Sequence, residues 1–162
     1  MLAYGSNACP SKITWLREEL GLTGAVTVLR ATCHDFAAVW AAGLRKRDGQ
    51  RPATLAAMPG VTEVHAIWLA TPEQLAVLDV CEGRGDRYHL AKLHSGRIRL
   101  DDGSAVEALA YVGASARRMP LLVDGRPVRT ADVEQHAAVA LVGEPAESDG
   151  LDRTVLPGYL PG

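Results

Sequence analysis

Short runs of alternating or uniformly apolar residues recur along this chain and predict a protein rich in strands. The run 64–69 is apolar on both faces, which indicates a central, buried strand. Helical spacing is confined to three stretches between these runs. This order of strands, short turns and few helices predicts an α+β fold, with a mixed, mostly antiparallel sheet that closes into a small β-barrel with flanking helices. Strands are predicted at 2–4, 26–29, 35–40, 52–58, 64–69, 88–93, 97–100 and 106–112.

Turn and capping residues set the expected limits of these elements. Ser11 and Thr130 are predicted to cap the first and third helices. The strongest local pattern is Thr71-Pro72-Glu73-Gln74, which combines a cap, a proline at the first helical position and a capping-box glutamine. That helix is predicted to stop at Gly83. Pro59-Gly60 is predicted to be a turn between two strands.

A change of composition near residue 143 divides the chain. The whole chain of 162 residues is long enough to bury a core, and its balance of apolar and charged residues is that of a single globular domain. From Gly143 onward Gly, Pro, Asp and Glu become prominent. We therefore predict a domain over 1–142 followed by a Gly- and Pro-rich tail over 143–162 that is extended or loosely packed.

Charge, hydropathy and cysteine content argue against several classes of protein. The net charge of −2 disfavours binding of nucleic acid. No apolar run reaches the roughly 18 residues of a membrane-spanning helix, and the first residues lack the pattern of a signal peptide. The three cysteines, Cys9, Cys33 and Cys81, are odd in number and far apart, which is typical of reduced thiols in the cytoplasm.

The sequence carries no motif for metal or cofactor chemistry. Its histidines and cysteines lack the CxxC or HxxxH spacing of zinc sites. The glycine-rich motifs that bind phosphates are missing, and so is the GxSxG motif of a nucleophile elbow. We therefore predict no metal and no cofactor.

Glu82 is the first candidate for chemistry. It falls on the same face of its predicted helix as Leu75 and Leu78, so its carboxylate is directed toward the core. A carboxylate in that position is rarely buried unless it is paired or used. Burial and the nearby helix C-terminus both favour the protonated form, which makes the carboxylate a stronger base. The alternative is a rim glutamate that pairs with Arg84 or Arg87.

Two loops add candidate ligand contacts. Tyr4-Gly5-Ser6-Asn7 follows the first strand, and its consecutive backbone N–H groups can form an anion-binding concavity. Taken alone, the same stretch is also typical of a plain strand-ending turn. The segment 44–52 is predicted to be an exposed loop, either a solvated basic turn or the source of a guanidinium for a substrate carboxylate. Its basic residues are Arg45, Lys46, Arg47 and Arg51.

Several motifs follow one another in order along the first 112 residues. They are Tyr4-Gly5-Ser6-Asn7, Ala53-Thr54-Leu55, Pro59-Gly60, Leu78-Asp79-Val80-Cys81-Glu82-Gly83, Tyr88 and Tyr111-Val112. In this order they resemble the gamma-glutamylcyclotransferase superfamily, which includes the AIG2-like proteins. Ala8 and Cys9-Pro10 depart from the pattern that the family usually shows after the first loop. We expect this difference to change the shape of the pocket floor rather than the reaction.

The resemblance implies an enzyme that cyclises a γ-glutamyl group to 5-oxoproline and releases an amine or amino acid. It implies that Glu82 is the general acid/base, that the loop Tyr4-Gly5-Ser6-Asn7 cradles the substrate, and that Tyr88 and Tyr111 line the pocket. The implied partner is a small-molecule γ-glutamyl substrate, with no metal, cofactor, nucleic acid or membrane. A cytoplasmic monomer or homodimer is the expected form.

Two other functions fit parts of the pattern. A non-catalytic module could use the anion-binding loop to hold a metabolite or a peptide end, since fold alone does not fix function. A thiol amidase could use Cys81 as nucleophile and His89 as its base. Against the amidase, neighbouring residues on a helix point about 100° apart, and a helix C-terminus disfavours a thiolate.

Overall fold

The structure is a computed structural model that describes residues 1–5 and 9–157, with side chains at all of these positions except 95 and 96. Its architecture is mixed α+β, with mostly antiparallel sheets and few helices. The helices are α1 (Pro10–Leu20), α2 (Pro72–Glu82) and α3 (Gln135–Ala138), and a 3₁₀ turn covers Ala116–Arg118. The strands are β1 (Leu2–Ala3), β2 (Val28–Trp40), β3 (Ala53–Trp68), β4 (Tyr88–Leu100), β5 (Ala105–Gly113), β6 (Leu121–Val123), β7 (Arg126–Pro127), β8 (Glu144–Pro145) and β9 (Arg153–Val155). None of the helices in these ranges has the length and apolarity that a bilayer crossing requires.

The main sheet has six strands in the order β1-β3-β2-β4-β5, with β9 paired to β4. A second sheet of three strands has the order β7-β6-β8. The predicted α+β class with a mostly antiparallel sheet is confirmed. The pairings of the described strands follow an open path, and the predicted closure into a barrel is not seen among them. The edge strands β1 and β5 nevertheless approach each other. The hydroxyl of Tyr4, the residue after β1, donates a hydrogen bond to the carbonyl of Tyr111 in β5 at 2.6 Å.

Long strands replace several of the predicted short ones. β2 and β3 pair along almost their whole length, with one break in register around Asp35. Asp35 has a φ of 66°, and its carboxylate accepts a hydrogen bond from the Gly60 backbone N–H at 2.8 Å. The predicted turn at Pro59-Gly60 is therefore wrong, because this contact and the positive φ at Gly60 let β3 bend without ending. In the same way, β4 joins the predicted strands 88–93 and 97–100.

The core beneath the helices also fixes part of the candidate site. Leu16 of α1, Leu78 of α2 and Trp68 of β3 have no exposed surface and lie in one hydrophobic cluster. Tyr88 and Tyr111 belong to the same cluster. The packing that holds the two helices on the sheet therefore also holds these two tyrosines.

The helix starts differ from prediction in two of three cases. Cys9 rather than Ser11 precedes α1, because Pro10 takes the first helical position. The predicted cap at Thr130 is also wrong, since α3 begins after Glu134 and spans only four residues. The Thr130 backbone N–H instead donates to the Ala38 carbonyl at 3.0 Å, so this segment lies along β2 rather than opening a helix.

The capping box of α2 is present as predicted. The Gln74 backbone N–H donates to the Thr71 hydroxyl at 3.1 Å, and the Gln74 side-chain oxygen accepts from the Thr71 backbone N–H at 3.1 Å. The amide nitrogen of Gln74 donates in addition to the Thr23 and Ala25 carbonyls at 2.9 and 3.1 Å. Gln74 therefore anchors the connection between α1 and β2 as well as the start of α2.

We expect Thr71→Ala to lower the free energy of unfolding by about 1 kcal/mol, because the Gln74 N–H loses its acceptor. Thr130→Ala is the matched control, since Thr130 has no capping role, and we expect it to change stability by less than about 0.5 kcal/mol. Urea denaturation of both variants measures the difference. Equal losses in the two variants would contradict this assignment of the caps.

The segment after Gly143 is packed against both sheets. β8 pairs with β6, and β9 pairs with β4. Asp149 is buried between them, and its carboxylate accepts hydrogen bonds from the Leu151 backbone N–H and the Arg153 guanidinium, both at 3.0 Å. Of the two alternatives predicted for the tail, extended or loosely packed, loose packing is therefore wrong for residues 144–157, while 158–162 lie outside the described residues.

Candidate functional site

A cavity of about 580 Å³ opens beside the C-terminal end of α2. Ser6 and Asn7, which the sequence places in the same site, lie outside the described residues. The structure brings the other five predicted site residues together on the cavity wall. These are Tyr4, Gly5, Glu82, Tyr88 and Tyr111.

Four different elements supply these residues. Tyr4 and Gly5 follow β1, which is tied to β3 through the pairs Leu2–Ile67 and Ala3–Ala66. Glu82 is the last residue of α2, Tyr88 is the first of β4, and Tyr111 lies near the end of β5. The turn from α2 to β4 is tight because Gly83 has a φ of 66°, a conformation that suits glycine. The site thus depends on long-range pairing more than on any local motif.

The three tyrosine hydroxyls all donate to protein acceptors. Tyr4 donates to the Tyr111 carbonyl at 2.6 Å, and Tyr88 donates to the Ala53 carbonyl at 2.9 Å. Tyr111 donates to Oδ1 of Asp79 at 2.7 Å. A phenol has one proton to donate, so the remaining hydrogen-bonding capacity of each hydroxyl oxygen is as an acceptor.

These tyrosines stay neutral near pH 7. Burial raises the pKa of Tyr4 and Tyr111 well above the ordinary value and that of Tyr88 to about 12. The negative charge of Glu82 raises the pKa of each of the three further. Glu82 is half-buried on the same cavity wall, so its negative charge is close enough to disfavour ionisation of all three phenols.

A buried ion pair supports the wall behind Tyr111. Asp79 is only 7% exposed, and its Oδ2 accepts from the Arg84 guanidinium at 2.9 Å. Arg84 also donates to the Pro157 carbonyl at 2.7 Å, which ties the C-terminal segment to the end of α2. Arg87 donates to the Cys81 carbonyl at 3.0 Å. Arg84 and Arg87, the two arginines considered as partners for Glu82, thus donate to Asp79, Pro157 and Cys81. The sequence did not indicate that Asp79 takes part in this ion pair.

We expect Tyr111→Phe to lower the free energy of unfolding by about 2 kcal/mol, because the buried Asp79 carboxylate loses a donor. Tyr88→Phe is the matched control. Its hydroxyl donates to a neutral carbonyl, so we expect a loss of about 1 kcal/mol. Urea denaturation measures both. A larger loss for Tyr88→Phe than for Tyr111→Phe would contradict the network described here.

The lining of the cavity is strongly cationic. Among the described residues it contains seven basic side chains and two carboxylates, although the whole chain has a net charge of −2. Such an excess focuses positive potential into the cavity and favours an anionic ligand. The two carboxylates are Glu82 and Asp86, and the basic residues are Lys12, Arg45, Lys46, Arg47, Arg87, Arg117 and Arg118.

The basic loop divides into two parts. Arg45, Lys46 and Arg47 line the cavity, where Arg45 also pairs with Asp48 at 3.0 Å. Arg51 was predicted to be exposed, and that prediction is wrong: it is 4% exposed. Its guanidinium donates to four backbone carbonyls, those of Ala41, Ala42, Ala138 and Leu141. Arg51 therefore supports the loop from inside, while its neighbours face the cavity.

Arg117 and Arg118 also line the cavity, and the sequence did not single out either residue within the irregular connection after β5. Arg118 is 7% exposed, and its guanidinium carbon lies 5.9 Å from the centroid of the Tyr88 ring. This is a cation–π distance. Nothing in the local sequence distinguishes a buried arginine in a short turn from a solvated one.

The two groups of the alternative thiol amidase, Cys81 and His89, are not brought together. Cys81 lines the cavity, but His89 follows Tyr88 on β4 and so faces the opposite side of the sheet. The proposed thiol nucleophile and its base are therefore apart. Within the described part of the chain, no three His, Cys, Asp or Glu side chains are grouped so that they could hold a metal ion.

Comparison with known proteins bears on the fold. No protein-family model matches the sequence, and no curated protein matches it. Among solved structures, the chain is similar to the crystal structure of an uncharacterized protein, LOC79017, from Homo sapiens, with a TM-score of 0.57. The likeness is one of fold. The two sequences are 18% identical, and the match covers 70% of this chain and 65% of the human chain, so this chain spans just under two thirds of that protein.

Proposed function

We propose that this protein is a gamma-glutamylcyclotransferase-type enzyme, which cyclises a γ-glutamyl group to 5-oxoproline and releases an amine or amino acid. The observation that carries the proposal is the position of Glu82 on the wall of a cationic cavity with Tyr4, Tyr88 and Tyr111. In this proposal the main sheet is of the gamma-glutamylcyclotransferase type and curves into a small barrel. The hydrogen bond between Tyr4 and Tyr111 supports that curvature.

The reaction needs orientation more than covalent catalysis. The α-amine of the γ-glutamyl group attacks its own γ-carbonyl carbon and forms a five-membered ring. The amide C–N bond then breaks, and the leaving nitrogen takes a proton. Because both reacting groups belong to one molecule, a cavity that holds the chain bent supplies much of the rate acceleration.

Glu82 is the proposed general acid/base. An α-ammonium has a pKa of about 8, so near neutral pH it must lose a proton before it can attack. The Glu82 carboxylate takes that proton and returns it to the leaving amine. The tyrosine hydroxyl oxygens, whose own protons go to protein acceptors, can accept hydrogen bonds from the substrate N–H groups.

The loop after β1 is the proposed cradle for the γ-glutamyl half. The backbone N–H of Gly5, together with Ser6 and Asn7, would hold the α-carboxylate or the developing oxyanion. The cationic lining adds a long-range attraction for a substrate that carries carboxylates. No metal or cofactor takes part in this proposal.

A non-catalytic binding module is the second candidate, because a cationic cavity also suits plain capture of an anionic metabolite. Incubation of the purified protein with γ-glutamyl amino acids, γ-glutamylamines and γ-glutamyl peptides separates the two. The enzyme releases 5-oxoproline from at least one of them, with saturation kinetics. Saturable binding without any product would favour the binding module.

A further inference from the structure

Arg118 is a buried cation on the cavity wall with no ion-pair partner among the residues that the structure describes. It is 7% exposed, and its Nε atom is buried without a hydrogen-bond partner. None of the ion pairs or side-chain hydrogen bonds recorded among residues 1–5 and 9–157 involves its guanidinium. Its guanidinium instead lies against the ring of Tyr88, which lines the same cavity.

Two other arginines of the described chain show the contrast. Arg51, which is also buried, donates to four carbonyl oxygens at 2.7 to 3.1 Å. Arg84 is partly buried and its Nε also has no partner, but its charge is balanced by the Asp79 carboxylate. A buried charge is costly to keep unless it is paired or fully hydrogen-bonded. An unpaired guanidinium facing a cavity is therefore arranged for an anion that arrives with the ligand, and a planar carboxylate fits its donors best.

The main chain around Arg118 is held rigidly in this position. A Cβ at Gly113 would lie 2.1 Å from the Arg118 carbonyl oxygen, so only glycine permits the close approach of β5 to the turn. On the other side, the Gly43 backbone N–H donates to the Arg117 carbonyl at 2.7 Å, and the Arg117 guanidinium donates to the Leu44 carbonyl. The turn is thereby fixed to the loop whose three basic residues also line the cavity. A rigid support of this kind is what a selective subsite requires.

We propose that Arg118 binds a carboxylate on the leaving group, so that the substrates are γ-glutamyl amino acids or peptides rather than γ-glutamylamines. This inference rests on the proposed function, in which the Gly5 loop takes the γ-glutamyl half. Arg118 comes from a different segment, the 3₁₀ turn after β5, and that turn is hydrogen-bonded to the loop 43–47. The half of the substrate left for this segment is the leaving group.

Two compounds that differ only in this charge test the proposal. γ-Glutamyl-alanine carries the carboxylate, and γ-glutamyl-alaninamide replaces it by a neutral amide. We expect the wild-type protein to prefer the carboxylate by about 30-fold or more in kcat/KM, since truncation or loss of one partner of a buried charge pair has effects of this size. In Arg118→Met the preference falls to about 1, mainly through loss of activity on the carboxylate, and in Arg118→Lys it recovers in part, because lysine keeps the charge without the bidentate geometry.

Two controls separate a local contact from general effects. Arg45→Gln removes a charge from the same cavity, but Arg45 is partly exposed and already pairs with Asp48, so we expect a loss of less than about 3-fold in the preference. The melting temperature of Arg118→Met should be unchanged or higher, because the substitution removes an unpaired buried charge. If Arg118→Met does not fold, the proposal is judged on two results: the preference of the wild type for the carboxylate compound and the reduction of that preference in Arg118→Lys.

Binding of the same two compounds to the Glu82→Gln protein, measured by calorimetry, distinguishes this inference from the proposed function. Carboxylate-selective binding that depends on Arg118, with no turnover by the wild type, supports the Arg118 subsite and contradicts the proposed enzymatic activity. Turnover of both compounds without preference, or with a preference that Arg118→Met retains, overturns the subsite and keeps the enzyme. If neither compound binds to the Glu82→Gln protein and neither is turned over by the wild type, both the subsite and the enzyme are overturned.

Discussion

Replacement of Glu82 by glutamine is expected to reduce 5-oxoproline release about 100- to 10,000-fold, which is the contribution of a positioned acid/base. Glutamine has nearly the same shape as glutamate, and Glu82 ends α2 in a half-buried position, so the substitution should leave the helix and the cavity in place. What it removes is the group that takes a proton from the α-ammonium. The loss should therefore fall on kcat more than on KM.

Two further carboxylates serve as controls for Glu82→Gln. Glu73 lies on the same helix but is exposed in its first turn, and Glu73→Gln should keep activity within about 2-fold of the wild type. Asp86 is the second carboxylate of the cavity lining, and Asp86→Asn tests whether the loss of any carboxylate from the cavity lowers activity. A folded Glu82→Gln protein with wild-type turnover, or an equal loss in Asp86→Asn, would remove the proposed role of Glu82.

Arg51→Met is expected to lower the free energy of unfolding by about 3 kcal/mol, the largest effect on stability that we predict. The Arg51 guanidinium donates to the carbonyls of Ala41, Ala42, Ala138 and Leu141 at distances between 2.7 and 3.1 Å. Methionine fills a similar volume but leaves these carbonyls without their donor. The connection after β2 and the end of α3 then lose their shared anchor.

Denaturation in urea, followed by circular dichroism, measures the effect of Arg51→Met. Arg30→Met is the matched control, because Arg30 lies on β2 with an exposed side chain, and we expect it to change stability by less than about 0.5 kcal/mol. A similar small change for Arg51→Met would mean that its hydrogen bonds do not hold this region together. Arg45 and Lys46, which line the cavity, lie in the same connection between β2 and β3. We therefore expect Arg51→Met to lower activity as well as stability.

Local signals in the sequence predicted local features well. The capping box at Thr71 and the stop at Gly83 are both present, because a cap and a left-handed glycine depend on a few neighbouring residues. The strand limits were less well predicted. Pro59-Gly60 has the composition of a turn, yet the pairing of β2 with β3 continues through it and the side chain of Asp35 bridges the distortion.

The site shows the same division. Helical spacing indicated Glu82, and the family resemblance implied Tyr88 and Tyr111. The structure places Glu82, Tyr4, Tyr88 and Tyr111 around one cavity. The burial of Arg51 and Arg118 could not be predicted, because arginine is exposed in most contexts and only long-range packing covers these two. The pairing of β9 with β4 also depends on distant segments, and composition alone indicated a loose tail there.

The identity of the product tests the central claim most directly. The purified protein is incubated with a γ-glutamyl amino acid, and 5-oxoproline, free glutamate and the released amino acid are quantified together, with Glu82→Gln in parallel. The proposal predicts 5-oxoproline and the released amino acid in equal amounts, little glutamate, and a loss of both products in Glu82→Gln. Release of glutamate in place of 5-oxoproline, or binding of the panel compounds without any product, would contradict it.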